Sequence, residues 1–368
     1  MKFLATCNPG LEEISIQEIF ELTGRKGQIH HKGAVIFEGR EEDIFKLNYL
    51  ARSLHRIILL LKSGTFEKLD DLYKEIKEID FSEYIYPTQS FAIRPERIGE
   101  HNFTSIDIGR VAGQAVIDSY KESKGVRLKV NLDNPNIIIR VEVRENKFWV
   151  GLDTTGEESL HKRWYRKYSS KAPLKSTIAY SMIRIAELNE KESMIDPFCG
   201  CGTIPIEAYL WLNNIPPNQK RNFDFTKFVF IDRLKFLEFL RSIKIERRED
   251  LKIFGSDISQ KEINFARENA KEAGAHVNFF VGDACKIELN YDKIITDLPY
   301  GIRTSSRDLD KIYKCFFENL KRFSWKKVVF ITAKLREDLI PLSLDQFEKI
   351  YDVDYGDIKA RIYVLSKL

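Results

Sequence analysis

The second half of the chain constrains the fold most, because short apolar segments alternate there with longer stretches of helical periodicity. This rhythm begins near residue 177 and continues almost to the end of the chain. Repeated strand–helix units with apolar strands form a parallel sheet that helices cover on both faces. We therefore predict an α/β domain, with strands near residues 193–196, 252–256, 277–281, 293–296 and 327–332, followed by an antiparallel pair at 350–354 and 360–365. One long basic interruption, at 212–251, is predicted to be an insertion with its own helix.

The first part of the chain has a different order of elements and indicates two small α+β units. The first unit is expected to alternate strand and helix: strand 2–6, helix 9–22, strand 34–37, helix 41–51 and strand 55–61. The second is expected to contain a helix at 69–79, a strand at 90–94, a helix capped by Thr104, and strands at 137–143 and 147–152. With 368 residues the chain is too long for a single ordinary core, so several domains are expected.

Composition excludes some classes of protein without choosing among the others. The longest aliphatic run, residues 57–61, is far too short to span a bilayer, and the N-terminus shows no pattern typical of a signal peptide. The five cysteines are widely spread, which predicts a reduced, cytoplasmic protein without a structural metal. The net charge of +4 does not by itself indicate a nucleic-acid partner.

A glycine-containing loop, "DPFCGCGTIPIEA" at residues 196–208, lies between a predicted strand and a predicted helix. Ligands of open parallel sheets bind beyond the carboxyl ends of the strands. Four acids follow predicted strands at such positions: Asp196, Asp257, Asp283 and Asp297. Each acid alone could cap a helix or a turn, but the four together predict a ligand-binding crevice.

The ligand expected in this crevice is S-adenosylmethionine. A dinucleotide is the alternative, but the third glycine of its fingerprint is missing, and Asp196 would face a pyrophosphate unfavourably. A sulfonium ligand instead favours nearby carboxylates, with Asp257 on the ribose and Asp283 on the adenine edge. The predicted cofactor-binding residues are Asp196, Gly200, Cys201, Gly202, Thr203, Asp257, Ile258, Asp283 and Ala284.

The motif "TDLPYG", residues 296–301, predicts the acceptor side of a methyl transfer to an exocyclic amine. The lone pair of such an amine is delocalised into the ring, so both N–H groups must be held by acceptors. Asp297 and the Leu298 carbonyl are expected to supply them, and Pro299 fixes Leu298 in an extended conformation. Tyr300 is expected to stack on a flipped base. Asp297, Leu298, Pro299 and Tyr300 are the predicted catalytic residues, although an ordinary strand-to-turn exit has a similar sequence.

A basic strip precedes the α/β domain: "HKRWYRKYSSKAPLK", residues 161–175, contains six Lys and Arg, no acid and three aromatic rings. Cations for phosphates and rings for stacking favour RNA binding. The alternative is a solvated linker that happens to be basic.

The motifs "DPFCGCGTIPIEA" and "TDLPYG" resemble those of Rossmann-fold methyltransferases that modify exocyclic amines of nucleic acids. The segments "FAIRPERIGEHNFTSIDIGRVAGQAV" and "VNLDNPNIIIRVEV" resemble a THUMP RNA-binding domain, and "ATCNPGLEE" is similar to the start of the ferredoxin-like domain that precedes it. This resemblance implies a Rossmann-fold methyltransferase domain preceded by ferredoxin-like α+β and THUMP domains. The implied division is 1–64 ferredoxin-like, 65–153 THUMP, 154–176 linker and 177–368 methyltransferase.

The resemblance further implies a tRNA guanine-N2 methyltransferase acting at position 6 of the acceptor stem, with the 3′ end of the tRNA docked on the THUMP half. A monomer without metal or membrane association is expected. The open alternatives are methylation at position 10, an adenine-N6 enzyme acting on DNA, a non-catalytic tRNA-binding protein and a dehydrogenase. Leu298 departs from the frequent Asp-Pro-Pro-Tyr form, which disfavours an adenine enzyme. The residues assigned to RNA binding are Arg94, Arg97, His101, Lys162, Arg163, Arg166, Lys171, Lys175 and Arg303.

Overall fold

The computed structural model describes residues 1–169, 173–300, 306–356 and 358–367, which form an eight-stranded sheet and a seven-stranded sheet with packed helices. The elements of the first half are β1 (Lys2–Cys7), α1 (Glu12–Thr23), β2 (Gly27–His31), β3 (Ala34–Glu38), α2 (Glu41–Leu50), β4 (Leu54–Thr65), α3 (Leu69–Lys77), β5 (Ser90–Ile98), α4 (Ser105–Lys124), β6 (Lys129–Val130), β7 (Ile137–Arg144) and β8 (Lys147–Asp153). Those of the second half are α5 (Ser176–Ile185), β9 (Met194–Asp196), α6 (Thr203–Leu212), α7 (Arg233–Ser242), β10 (Ile253–Asp257), α8 (Gln260–Ala273), β11 (Asn278–Val281), β12 (Lys293–Asp297), α9 (Ser306–Leu320), β13 (Lys327–Ala333), β14 (Lys349–Tyr355) and β15 (Ile358–Ser366).

The first sheet has the strand order β2-β3-β1-β4-β8-β7-β5-β6, so the two predicted α+β units share one continuous sheet. Strand β4 joins them, because it pairs with β1 on one side and with β8 on the other. Strands β2 and β6 were not expected from the sequence. They are the two edge strands, and their side chains are largely exposed, so they lack the apolar pattern that marks a buried strand.

Side chains alternate between the two faces of this sheet, as the twofold period of a strand requires. In β7, Ile139, Val141 and Val143 point into the helix-covered core, whereas the intervening Arg140 and Glu142 point to the opposite face. Helix α4 packs on the core face and begins at the predicted cap, where the Thr104 hydroxyl accepts a hydrogen bond from the Asp107 amide. One face of the sheet is therefore a core and the other carries charged groups.

The second sheet has the order β11-β10-β9-β12-β13-β15-β14, with β9 to β13 parallel and β14 and β15 antiparallel. This confirms the predicted parallel sheet and the antiparallel pair at its end. The chain leaves β9 towards β10 and later returns to its other side with β12. The order of strands thus reverses at β9, and a ligand crevice is expected there.

The insertion at 212–251 contains the predicted helix, α7, and it packs against the N-terminal half of the molecule. Phe225 and Phe236 contact each other edge to face, and both rings lie against Phe45 of α2. The Arg52 guanidinium also reaches across and donates to the backbone oxygens of Leu210 and Ile215. The insertion therefore serves as part of the contact between the two halves.

The cysteines depart from the expectation in one place. Cys285 and Cys315 are joined as a disulfide, with 5.2 Å between their Cα atoms, whereas the sequence predicted a reduced protein. Cys7, Cys199 and Cys201 are free and buried. Within the described ranges, no helix is both long and apolar enough to cross a bilayer, and no three His, Cys, Asp or Glu side chains form a group that could hold a metal.

Candidate active site

A cavity of about 450 Å³ lies beyond the carboxyl ends of β9, β10, β11 and β12. Its volume falls within the range of about 300–1,000 Å³ that is usual for small-molecule sites. All four predicted acids line it: Asp196, Asp257, Asp283 and Asp297. The cavity is also lined by Gly200, Cys201, Thr203, Ile258, Ala284, Leu298, Pro299 and Tyr300, which were predicted from the two motifs.

The segment Pro197–Gly202, here called the donor loop, turns from β9 into α6 through two glycines with positive φ. Gly200 has φ +50° and open space beside it, so only its backbone conformation requires glycine. Gly202 has φ +86°, and a Cβ there would lie 2.9 Å from the Phe279 ring and 3.0 Å from the Ala266 methyl. Gly202 therefore packs against the protein behind the loop and does not line the cavity.

Asp257 holds the donor loop and the start of α8 together. One of its carboxylate oxygens accepts the Gly200 amide at 3.1 Å, and the other accepts the Ser259 amide at 2.8 Å. A carboxylate oxygen can accept more than one hydrogen bond, so the residue type at this position suits a ribose hydroxyl. Ile258 is 73% exposed beside it and offers an apolar face to a ring.

Asp283 and Ala284 form the next part of the wall. The Asp283 carboxylate accepts the Cys285 amide at 3.0 Å, which fixes its side chain, and its other oxygen lies 3.3 Å from the Lys286 ammonium. The backbone oxygen of Ala284 accepts from Asn319, which anchors this turn to α9. Both residues line the cavity, as an adenine-reading turn would.

Two carboxyl groups with raised pKa values lie at the reaction end of the cavity. Burial raises the pKa of Asp196 to about 7, although hydrogen bonds from the Thr296 hydroxyl and the Phe198 amide oppose the rise. Burial, and next the Asp196 charge, raise the pKa of Asp297 well above its usual value. Within the described ranges neither carboxyl forms a salt bridge, so a cationic ligand such as a sulfonium fits this site.

The acceptor motif follows β12 directly into the cavity. The Leu298 amide donates to the Ile331 carbonyl at 3.0 Å, so the peptide after Asp297 is fixed to the neighbouring strand. The backbone oxygen of Tyr300 accepts from the Arg336 guanidinium at 3.4 Å. Gly301 and Arg303, the latter assigned to RNA binding, lie outside the described residues.

The structure corrects the assignment of Arg163 to RNA binding. Its side chain is fully buried, its Nε lies 3.0 Å from a Glu207 carboxylate oxygen, and its other nitrogens donate to the backbone oxygens of Leu160 and Arg52. Arg166 is half-buried, and one of its nitrogens donates to the Leu174 carbonyl and to the Thr203 hydroxyl, both at 2.9 Å. Arginines of the strip therefore bind protein groups, because the strip wraps around the start of α6.

The other residues assigned to RNA binding are scattered. Arg97 and His101 bind backbone oxygens of the turns at Gly99 and Glu145, and Lys162 extends into solvent. Lys175 is half-buried directly before α5, and burial lowers its pKa. Lys171 lies outside the described residues. Among the members of this set that the structure describes, only Arg94 lines a cavity on the N-terminal half.

Arg94 lines a second cavity, of about 360 Å³, on the charged face of the eight-stranded sheet. We call it the basic cleft; its charged lining residues are Lys32, Arg56, Arg94, Arg140, Arg144, Glu96 and Glu142, and its rings are His31, His55, Trp149 and His161. Except for Arg94, none of these Lys and Arg side chains was predicted on this side. The alternation in "IIIRVEVR" was the available signal, since it places Arg140 and Arg144 opposite the core.

Comparison with known proteins agrees with this geometry. The family model described as "RMKL-like, methyltransferase domain" matches residues 163–356, that of the THUMP domain matches 66–153, and that of the RlmL ferredoxin-like domain matches 2–58. The chain is 41% identical to a tRNA (guanine(6)-N2)-methyltransferase of Methanocaldococcus jannaschii, over all of both chains. It is also 41% identical to the enzyme of that name from Archaeoglobus fulgidus, over 91% of this chain and 84% of the relative. The crystal structure of "a possible methylase from Clostridium difficile 630" covers the whole chain and is itself covered to 98%, with a TM-score of 0.91 and 28% identity.

Proposed function

The chain belongs to the family of RMKL-like methyltransferases that carry ferredoxin-like and THUMP domains, and from this premise we propose that it forms N2-methylguanosine in tRNA. The methyl donor of this enzyme is S-adenosylmethionine. The donor loop, Asp257 and the turn at Asp283 and Ala284 would hold it in the cavity. The relatives of 41% identity, whose names specify the guanine N2 group, support the choice of base.

The observation that carries the proposal is the position of Asp297 and Leu298, which leave the end of β12 and line the cavity that the donor loop also lines. A guanine N2 amine needs one acceptor for each of its two hydrogens before its lone pair can be directed at an electrophile. The Asp297 carboxylate can accept one N–H, and the Leu298 carbonyl can accept the other. Donor and acceptor groups would thus meet in one crevice, where correct positioning lowers the barrier.

Each group has a defined part in the reaction. Bound S-adenosylmethionine supplies an electrophilic methyl group. As the N–CH₃ bond forms, the S–CH₃ bond would break and S-adenosylhomocysteine would leave with the electron pair. The methylated nitrogen would then be cationic and strongly acidic, and the Asp297 carboxylate can take its proton. The raised pKa of Asp297 makes it a better proton acceptor than an exposed carboxylate, provided that it is ionised when the base is bound. The Tyr300 ring, which also lines the cavity, would stack on the flipped guanine.

We place the 3′ end of the tRNA in the basic cleft and the modified guanine at position 6 of the acceptor stem. The cleft supports this assignment through its rings, which suit single-stranded RNA, and through its five Lys and Arg side chains. Each of these cations is paired with an acid of the protein and would share or exchange that partner for a phosphate. His55 links the cleft to the catalytic half, since its Nε2 lies 3.2 Å from the Thr177 hydroxyl at the start of α5. If the distance between the cleft and the cavity is fixed, the enzyme would methylate a guanine at a fixed distance from the 3′ end of the tRNA.

The test uses unmodified tRNA transcript and labelled S-adenosylmethionine, followed by digestion and mass mapping of the methylated nucleoside. We expect label only in N2-methylguanosine at position 6, and loss of incorporation when that guanine is replaced or the 3′ end is trimmed. Label in adenosine, label at position 10, or full activity on trimmed tRNA would contradict the proposal. We also propose that the enzyme acts as a cytoplasmic monomer with the domain division 1–64, 65–153, 154–176 and 177–368, which light scattering and limited proteolysis can test.

A further inference from the structure

We propose that Asn269 and Arg166 are positioning residues that fasten the basic strip of the linker, described at residues 161–169 and 173–175 and called the linker from here on, to the donor loop and so set the affinity for the methyl donor. Neither residue lines the cavity, and neither is a catalytic group. The inference requires that the donor occupies this cavity, and it does not depend on which base is methylated.

Asn269 lies in the middle of α8 and is 1% exposed, yet its side-chain amide makes four hydrogen bonds. Its Oδ1 accepts from the backbone amides of Lys167 and Tyr168, at 3.1 Å and 3.0 Å. Its Nδ2 donates to the Tyr168 carbonyl at 2.9 Å and to the Cys201 carbonyl at 3.1 Å. These bonds use both acceptor and both donor sites of the amide. One side chain thus connects the linker, α8 and the donor loop.

Arg166 makes a second connection a short distance along the linker. Its guanidinium bridges the Leu174 carbonyl and the hydroxyl of Thr203, the first residue of α6. One turn further along α6, Glu207 accepts from Arg163 at 3.0 Å and from the Tyr165 hydroxyl at 2.8 Å, all three side chains being buried. The linker therefore holds the start of α6 at two successive turns.

The donor loop contains two glycines, so the contacts that reach it from the linker and α8 add to the few bonds of its own backbone. Gly202 precedes α6 without a side chain to cap it, and Gly200, as a glycine, has more conformational freedom than any other residue type would have there. Leu174 and Pro173 of the same linker also line the cavity, so the linker forms part of the donor site as well as its support. An unfastened loop would have to be ordered on binding, and the cost of ordering would appear as weaker affinity.

Two linker residues, Lys167 and Tyr168, make additional contacts with α8. The Tyr168 ring stacks on Phe265 of α8 with 5.0 Å between centroids and 3° between planes. The Lys167 ammonium lies 2.5 Å from the Glu272 carboxylate on the same helix. The side chains of these two residues therefore contact α8, in addition to the hydrogen bonds between their backbone and Asn269.

The experiment compares Asn269→Ala with Asn264→Ala, a matched control on the exposed side of α8 whose side-chain oxygen accepts from Gln260. For Asn269→Ala we expect a tenfold or larger rise in the calorimetric Kd for S-adenosylmethionine and a parallel rise in its KM. At saturating donor, kcat should stay within about threefold of wild type, because the acceptor groups are untouched. Hydrogen exchange of the donor-loop amides, measured without donor, should accelerate. The control should change none of these.

An Asn269→Ala protein that melts at lower temperature but keeps the wild-type Kd for the donor would overturn the proposal, since a purely structural residue behaves in that way. If Asn269→Ala does not fold, Arg166→Lys provides the second test. A lysine keeps the charge, but its side chain is one bond shorter than the arginine nitrogen that bridges both acceptors, so the donor Kd should rise about threefold to tenfold at an unchanged melting temperature. An unchanged Kd there would also contradict the inference. Because donor binding is measured without tRNA, neither result depends on the assignment of the modified base.

Discussion

The linker and the basic cleft are both rich in arginine, but their arginines differ in how much of the side chain stays exposed. In the linker, Arg163 is sealed against Glu207, and Arg166 is directed at a carbonyl and a hydroxyl of its own chain. In the cleft, Arg94 and Arg144 are about a quarter exposed and line a cavity, and each also pairs with an acid, Glu157 and Glu142 respectively. Arginines of both regions thus bind acceptors of the protein. They differ in exposure, because Arg163 is fully buried whereas the two cleft arginines keep part of their side chains open to the cavity.

Two partly buried histidines, His55 and His161, lie where the linker and the basic cleft meet, and both have lowered pKa values. Burial, and next the neighbouring His161, lower the pKa of His55 to about 3. Burial together with Lys175, Arg163 and other cations lowers the pKa of His161 to about 4. Both imidazoles are therefore neutral at physiological pH, and each can accept as well as donate a hydrogen bond. The junction avoids adding two more charges to an already cationic surface.

The structural role of the linker arginines is tested most directly by Glu207→Ala. This change would leave the Arg163 guanidinium buried without its partner. Removing one member of a buried ion pair commonly costs about 3–5 kcal/mol. We expect a loss of that order in the free energy of unfolding, measured by denaturant titration, with the tRNA affinity of the folded fraction unchanged. Little loss of stability would mean that the linker arginine is solvated in solution.

The Asp297→Ala variant should bind both S-adenosylmethionine and tRNA without transferring the methyl group. Loss of the oriented carboxylate should lower the single-turnover rate by at least two decades, or about 3 kcal/mol, because one acceptor for the N2 amine is missing. Calorimetric affinity for S-adenosylmethionine and for tRNA should stay near wild type. Near-normal turnover would remove Asp297 from the mechanism.

Neutralising the cleft should affect RNA and leave the fold intact. For the double variant Arg94→Ala and Arg144→Ala we expect tRNA affinity to fall by about 1 kcal/mol per lost phosphate contact, and the log–log salt slope to fall by about 0.7 per contact. Lys77→Ala, at an exposed ion pair of α3 away from the cleft, is the control. An unchanged slope would mean that the cleft does not receive phosphates.

We expect a smaller effect of pH on the Kd for S-adenosylmethionine, and no such effect on binding to the basic cleft. Because burial raises the pKa of Asp196 to about 7, its ionised fraction grows as the pH rises from about 6 to about 8. If the ionised form attracts the donor cation, the Kd for S-adenosylmethionine should fall by up to about tenfold over this range. The dependence should be weaker for S-adenosylhomocysteine, which lacks the sulfonium charge, and should flatten in Asp196→Asn. A Kd that rises with pH would contradict the assignment.

The raised pKa of Asp196 also makes the stability of the folded protein depend on pH. Its folded pKa lies above the unfolded value, so between about pH 4 and 7 the folded state retains a proton that the unfolded state has lost. This group therefore makes folding less favourable as the pH rises through that window. Melting curves of wild type and Asp196→Asn, compared at about pH 5 and about pH 8, should diverge in favour of the variant at the higher pH.

The donor side of the molecule was predictable because backbone geometry constrains it. Acids directly after parallel strands must meet at one edge of the sheet, and so Asp196, Asp257, Asp283 and Asp297 were found as a group. Composition of the linker was a poorer guide. It identified Arg163 and Arg166 as cations but carried no information on which way they point.

The role of Asn269 and the existence of the basic cleft could not be predicted from the sequence, because both depend on contacts between distant segments. Asn269 is an ordinary polar residue within a helix, and only the packing of the linker against α8 gives its amide four partners. The cleft requires β4, β7 and β8 to lie side by side, and β8 to approach β4 closely at Gly151. A Cβ on Gly151 would come within 2.6 Å of the Leu59 carbonyl. Such long-range pairing leaves no local trace in the sequence.

The twelve-residue strand β4 has a consequence for anyone who divides the chain into fragments. It supplies the neighbour of β1 in the ferredoxin-like half and the neighbour of β8 in the THUMP half. A fragment that begins at residue 65 would lose this strand and leave the backbone amides and carbonyls of β8 without a partner along a long apolar edge. Unpaired edges of that kind recruit strands from other molecules. The isolated THUMP segment is therefore expected to aggregate, and the smallest N-terminal piece that can be purified as a soluble unit should include both halves of the sheet.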